Sequence, residues 1–160
     1  SHGAAGRYYH TVEGLNYRMT DVEAAIGREQ LKRLDAMLAR RRANMAVLDG
    51  ILAGVPGVTP QRVTPHSEHA VHQYCLRIDP AKAGVCRAGL QQRLKERGIE
   101  TGVHYPRGLH QQPVFVHKYG PVELPVTERL AEQIIALPVH HGMGEEDAVR
   151  VGNAVVECLG

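Results

Sequence analysis

The chain has 160 residues, 43% of them hydrophobic and 22% charged, and a formal net charge of +2. That is enough chain for one domain with a sizeable core, and too little charge to argue for nucleic acid or an anionic membrane as partner. No apolar run approaches the roughly 20 residues of a membrane span, and the three cysteines, Cys75, Cys86 and Cys158, form no C-x-x-C pair, which argues for a reducing, cytoplasmic setting and against a disulfide framework or zinc site.

Residues 1–19 mix Gly3, Gly6 and Gly14 with Tyr8, Tyr9 and Tyr17 and hold no period of 2 or 3.6, so they read as a loop. An arm rich in Tyr and Gly has little to bury on its own chain, and it is expected to pack on a further domain or a partner subunit. The chain opens on Ser1-His2 without Met, and its first residues lack the apolar segment of a signal peptide. The pair reads either as a cloning remnant or as the start of a natural Ser1-His2-Gly3 run. Both readings make the chain a piece of a longer protein.

Thr20 with Glu23 fits a capping box, and Asp21 and Glu23 place negative charge at the positive end of a helix. From there Val22, Ile26, Leu31, Leu34, Leu38, Met45, Leu48 and Leu52 recur at helical spacing, which predicts one long linking helix over residues 20–54. Gly54 and Pro56-Gly57 supply its stop. Arg40-Arg41-Arg42 lacks interleaved aromatics and reads as a solvated helix face rather than a nucleic-acid patch.

Residues 55–160 read as a small α/β domain. Residues 58–67 are extended with turns. Residues 71–78 form a strand with Tyr74, Leu76 and Ile78 on one face and Cys75 and Arg77 on the other. A loop follows, then a helix over 85–97, a strand over 99–105, and a long connection over 106–120 of the kind that tends to be functional. Pro125 opens a helix over 126–135. A short strand over 136–139 and an acid-led helix from Gly144 to about Leu159 complete the order. The fold class is mixed α/β, a short sheet with packed helices. Strand polarity does not follow from these patterns.

His66, His69 and His72, and the pair His140-His141, are close in sequence but offer no third ligand on a fixed face, so solvated loop histidines are preferred over a metal site. Asn16-Tyr17-Arg18 is a polar triplet just outside a helix start, which is either an ordinary loop or a place for an anion. Arg18 can equally pair with Asp21 or Glu23. His104 and Tyr105 read either as a strand end packed under the long connection or as pocket groups.

Three blocks together carry a resemblance. The first is Gly14-Leu15-Asn16-Tyr17-Arg18-Met19-Thr20-Asp21 with Ala24-Ala25-Ile26-Gly27, Gln30-Leu31 and Arg40-Arg41-Arg42 ahead of Asn44. The second is Arg97-Gly98-Ile99-Glu100-Thr101-Gly102-Val103-His104-Tyr105-Pro106, then Leu109-His110 and Gln112-Pro113 with Phe115. The third is Leu124-Pro125-Val126 with Glu128 and Leu130-Ala131, then Leu137-Pro138-Val139-His140. In this order and spacing they resemble the C-terminal part of the DegT/DnrJ/StrS family of pyridoxal-phosphate-dependent nucleotide-sugar aminotransferases.

The resemblance implies a mostly antiparallel sheet, the small C-terminal domain of a fold-type I transferase. It implies pyridoxal 5′-phosphate as cofactor, a nucleotide-linked keto-sugar as substrate, an amino-acid donor (usually glutamate) and a homodimer. It implies that Asn16 donates to the cofactor phosphate of the neighbouring subunit, that Tyr17 and Arg18 can face the same pocket, and that His104, Tyr105 and His110 line the sugar-nucleotide site. Arg107-Gly108 departs from the family's usual sequence there, so the sugar is not assigned. The lysine that carries the cofactor is not expected among Lys32, Lys82, Lys95 and Lys118, since none precedes the family's glycine-rich run. The fragment alone is expected to be inactive. The alternative is a non-catalytic sugar-nucleotide-binding or dimerisation module. A transcriptional role has no helix-turn-helix or basic face behind it.

Overall fold

The computed structural model describes residues 3–160, and the two readings of Ser1-His2 lie outside them. The chain divides into two compact units, one ending at Ala36 and one running from Met37 to Gly160.

In the first unit the expected loop contains a hairpin. Strands β1 (Ala4–Gly6) and β2 (Tyr9–His10) pair antiparallel, with Tyr8 turning the chain at φ 63°. Helix α1 (Asp21–Leu31) then begins at the capping box read from the sequence. The Glu23 N–H donates to the Thr20 hydroxyl at 3.3 Å, and the Thr20 N–H donates back to the Glu23 carboxylate at 2.8 Å.

The single long helix expected over 20–54 is two helices. The Arg33 N–H reaches back only three residues, to the Gln30 carbonyl at 3.0 Å, and α2 (Leu34–Leu52) starts afresh. The apolar stripe explains the break. Val22 and Ile26 are four apart, but Glu29 and Gln30 occupy the next positions on that face and the stripe resumes out of phase at Leu31 and Leu34. No α1 side chain is buried, whereas α2 buries Asn44, Leu48 and Leu52 at four-residue spacing.

The core of the second unit is a three-stranded antiparallel sheet in the order β3 (Val58–Pro60), β4 (Tyr74–Ile78), β5 (Ile134–Leu137). The predicted alternation holds on β4. Tyr74, Leu76 and Ile78 are buried, Cys75 is half-buried and Arg77 is exposed. A short helix α3 (Pro80–Ala83) occupies the expected loop, capped by Asp79. Helices α4 (Arg87–Glu96) and α7 (Glu145–Glu157) bury Leu90, Leu94, Val151 and Val155 in the same core as Leu48 and Leu52. The expected long connection is also partly helical, with a 3-10 turn (Leu109–Gln111) and α5 (Pro113–Tyr119) ahead of α6 (Pro125–Gln133).

Two expectations change in ways that matter for function. The strand read over 99–105 is only a bridge, Gly102 pairing with Ala136 on the free edge of β5. Past it the chain turns away, and the His104 ring folds over Gly102, where a Cβ would lie 2.6 Å from His104 Nε2. The arginines of α2 are also not simply solvated. Arg41 donates to the carbonyls of Val71 and His72 at 3.0 and 3.3 Å, and Arg42 to that of His69 at 3.1 Å.

They grip a strained turn. Val71 is fully buried at φ 49°, a region costly for a β-branched residue. Strain of ~1–3 kcal/mol is offset by ~1.5–3 kcal/mol for burying the side chain. The two Arg41 bonds and the bond from the Val71 N–H to His69 Nδ1 at 3.0 Å add to that. His69 is therefore wired into the turn rather than solvated.

Leu48 is fully buried, so Leu48→Ala is expected to cost ~2–5 kcal/mol of stability in urea denaturation. Glu23 makes a second expectation. Its carboxyl is held below the usual carboxylate range by the Thr20 N–H and hydroxyl. A depressed acid stabilises above its unfolded value, and the contribution is lost as pH falls through its folded value. Acidification is expected to loosen the first turn of α1, read from the Cα chemical shifts of residues 21–24, and Glu23→Gln is expected to flatten that response.

Candidate functional site

The departure of the chain at Gly102 opens a cavity in the second unit, of about 530 Å³. One wall is α6, through Thr127, Leu130 and Ala131, continued by Ile134. The other is the stretch of residues 104–112, which contributes His104, Tyr105, Arg107 and Leu109. Proline fixes the start of α6, and Leu124, a poor cap, leaves its own N–H to be satisfied by the Glu128 carboxylate at 2.9 Å. The cavity is mostly apolar, with His104, Tyr105, Arg107 and Gln112 placing polar groups along the 104–112 wall. That suits a ligand with one greasy and one hydroxylated or charged face, and the volume fits a small organic molecule.

His104 and Tyr105, two of the predicted site residues, are brought together here. Their rings meet edge to face at 5.8 Å, and Tyr105 is 74% exposed. The peptide joining them is cis. His104 also lines a smaller cleft of about 260 Å³ with Arg41, His72, Glu100 and His140.

His110, expected in the same lining, lies one layer back. Its side chain is 9% exposed, and its Nε2 sits 2.9 Å from the Glu128 carboxylate. The Leu124 N–H and the His110 ring together hold the Glu128 carboxyl below the ordinary range. Glu128, Thr127 and Leu130 were missed as site residues. Glu128 is the fourth residue after Leu124, the spacing at which a side chain folds back on a helix start.

In the first unit Asn16, Tyr17 and Arg18 are all exposed. Arg18 pairs with neither Asp21 nor Glu23. It donates to the Asn16 side-chain oxygen at 2.6 Å. The Asn16 carboxamide thereby uses its acceptor end, and its NH2 remains the donor. The helix start beside it is already served by Thr20, Asp21 and Glu23. Donors for an anion at this place are therefore the Asn16 amide and the Arg18 guanidinium rather than the helix end.

None of the four lysines lines this cavity. Lys32 pairs with Glu29 at 2.5 Å, and Lys118 lies over the Tyr119 ring at 5.2 Å. Among the described residues no group of three or more His, Cys, Asp or Glu is placed to hold a metal ion, and no helix is long and apolar enough to cross a membrane.

Comparison with known proteins agrees with this architecture. The fold is similar to part of that of DesV from S. venezuelae, solved in complex with a ketimine intermediate, at TM-score 0.81 and 32% identity over 98% of this chain and 41% of that one. The aminotransferase TlmJ from Streptoalloteichus hindustanus matches at TM-score 0.78 and 30% identity over 98% of this chain and 41% of its own. DesI, solved in the presence of its TDP-sugar product, matches at TM-score 0.81 and 27% identity over 98% of this chain and 40% of its own. The chain thus spans about two fifths of the length of these proteins. The DegT/DnrJ/EryC1/StrS description matches residues 1–156. With the three sequence blocks, the antiparallel sheet and the cavity between the second and third blocks, the chain belongs to the DegT/DnrJ/EryC1/StrS aminotransferase family.

Proposed function

We propose that the chain is the C-terminal part of a pyridoxal-phosphate-dependent aminotransferase. The whole enzyme moves an amino group from an amino acid, glutamate, to a nucleotide-linked keto-sugar of polysaccharide or antibiotic-sugar biosynthesis. It works as a cytoplasmic homodimer. Residues 1–19 are the arm toward the partner subunit or a preceding domain, residues 20–54 link, and residues 55–160 form the small domain.

The observation that carries the reading is that two of the three family-like blocks form the two walls of one cavity. A TDP-sugar product accompanies DesI and a ketimine intermediate accompanies DesV. These supply the ligand class by analogy.

The residues present fit part of the cofactor. Pyridoxal phosphate is a dianion at one end, and the Asn16 amide beside the Arg18 guanidinium is a matching donor pair. Bound, the cofactor supplies an electron sink that lets an amino group leave one carbon and enter another. This chain's own residues bind and orient. Asn16 and Arg18 hold the phosphate end, with Tyr17 beside them. His104 and Tyr105 offer hydrogen bonds to sugar hydroxyls and the diphosphate. Arg107 adds charge at the rim. Leu109, Leu130 and Ile134 keep water from the apolar face of the sugar. His110, named with the sugar-binding residues on resemblance, acts from behind the wall. No lysine of this chain is assigned the role of carrying the cofactor.

The non-catalytic module remains the second reading, favoured by the position of the four lysines outside the cavity. Turnover separates the two only in the longer protein, but ligand binding is accessible here. Titration of the chain with pyridoxal phosphate, borohydride reduction and peptide mapping is expected to give no stoichiometric adduct at Lys32, Lys82, Lys95 or Lys118. A single saturating adduct, or transaminase turnover by this chain alone, would overturn the assignment. In calorimetric titration with TDP-glucose, Tyr105→Ala is expected to weaken binding about tenfold, ~1.4 kcal/mol.

A further inference from the structure

His110 in the second block and Glu128 in the third stand beside the cavity without lining it. They meet each other. His110 Nε2 lies 2.9 Å from Glu128 Oε1, and that same oxygen accepts the Leu124 N–H at 2.9 Å. A carboxylate only accepts, so the imidazole nitrogen facing it carries the proton. The ring is 9% exposed and the carboxylate 34%. An exposed pair of this kind contributes little, but a charge-assisted bond to a covered ring holds its geometry more firmly.

The other edge of the ring supports the backbone. A Cβ on Gly108 would lie 2.4 Å from His110 Cε1, 2.6 Å from Nδ1 and 3.1 Å from Thr127 Cγ2. Only glycine lets the wall rest so closely on the ring and on α6. The turn is then closed by the Gln111 N–H to the Gly108 carbonyl at 3.0 Å and the Gly108 N–H to Gln111 Oε1 at 3.2 Å.

We propose that His110 and Glu128 are positioning residues. The pair ties the wall of residues 107–109 to α6, fixes the width of the cavity and thereby decides which ligands enter. Glu128 couples this tie to the start of α6, so the two walls are set by one carboxylate. Only the ligand arm of the test rests on the nucleotide-sugar reading.

The test compares the full chain with Glu128→Ala, Glu128→Gln, His110→Phe and the double variant Glu128→Ala/His110→Phe. Proton NMR of the wild type is expected to show a slowly exchanging, downfield His110 ring N–H that Glu128→Ala abolishes and Glu128→Gln restores. TDP-glucose affinity is expected to fall about tenfold in Glu128→Ala and in His110→Phe, and no further in the double variant, because coupled residues lose one shared interaction. Fully additive losses, wild-type affinity in His110→Phe, or the absence of a protected ring N–H in the wild type would overturn the proposal. Should Glu128→Ala fail to fold for want of a partner for the Leu124 N–H, His110→Phe keeps the carboxylate and carries the test. Should the wild type bind no TDP-glucose, the nucleotide-sugar reading falls separately. Amide protection at Gln111 and Gln112 then decides: its loss in His110→Phe supports the tie, and its retention overturns it.

Discussion

The burial of one face of β4 is the constraint on which the second unit depends. Tyr74 and Ile78 are fully buried and Leu76 almost so, in the central strand of a three-stranded sheet. Each such side chain contributes ~1.5–3 kcal/mol by its burial. Tyr74 adds a condition, since its phenol must find a partner once buried. It donates to Asp49 on α2 at 2.7 Å, and burial and that carboxylate push the phenol far above its ordinary value. The bond fixes α2 against the strand. A helix so fixed places Arg41 and Arg42 over the strained turn at Val71, and Asn44 on the carbonyls of His140 and Met143.

The cavity follows from what the sheet does not do. A fourth strand would have closed the free edge of β5 and left no room for a ligand. Instead pairing stops after Gly102, and the chain that would have continued the sheet becomes a wall facing α6. Pro106, which offers no N–H to a ladder, agrees with that ending. The fold and the site thus compete for the same segment, and the site wins where glycine and proline weaken the ladder.

Much of this was legible in the residues. The capping box at Thr20, the alternation of β4, Pro125 at the head of α6 and the acids leading α7 are local signals, and each appears in place. What failed was non-local. The break at Lys32-Arg33 depends on which face of the helix finds a core, and the stripe's change of phase was read as continuity. The aborted strand goes with the His104 ring folded over Gly102, a contact that composition does not encode. His110 was expected in the lining on the resemblance alone. Its partner lies 18 residues further on and on another element, so pairing outranked exposure only once the fold brought them together.

Helix α1 differs in kind from the elements that follow it. It buries none of its own side chains, and Val22, Ile26 and Leu31 are each at least 60% exposed. Its helicity rests on the capping box and on local pairs such as Glu29 with Lys32. Unwinding it therefore uncovers no core, and its opening free energy belongs at the low end of the range that separates fraying ends from global unfolding. The chain then behaves as two foldons. A thermal melt followed by near-ultraviolet dichroism would report the tyrosine buried at position 74, while the amides of residues 21–31 would exchange long before that transition began.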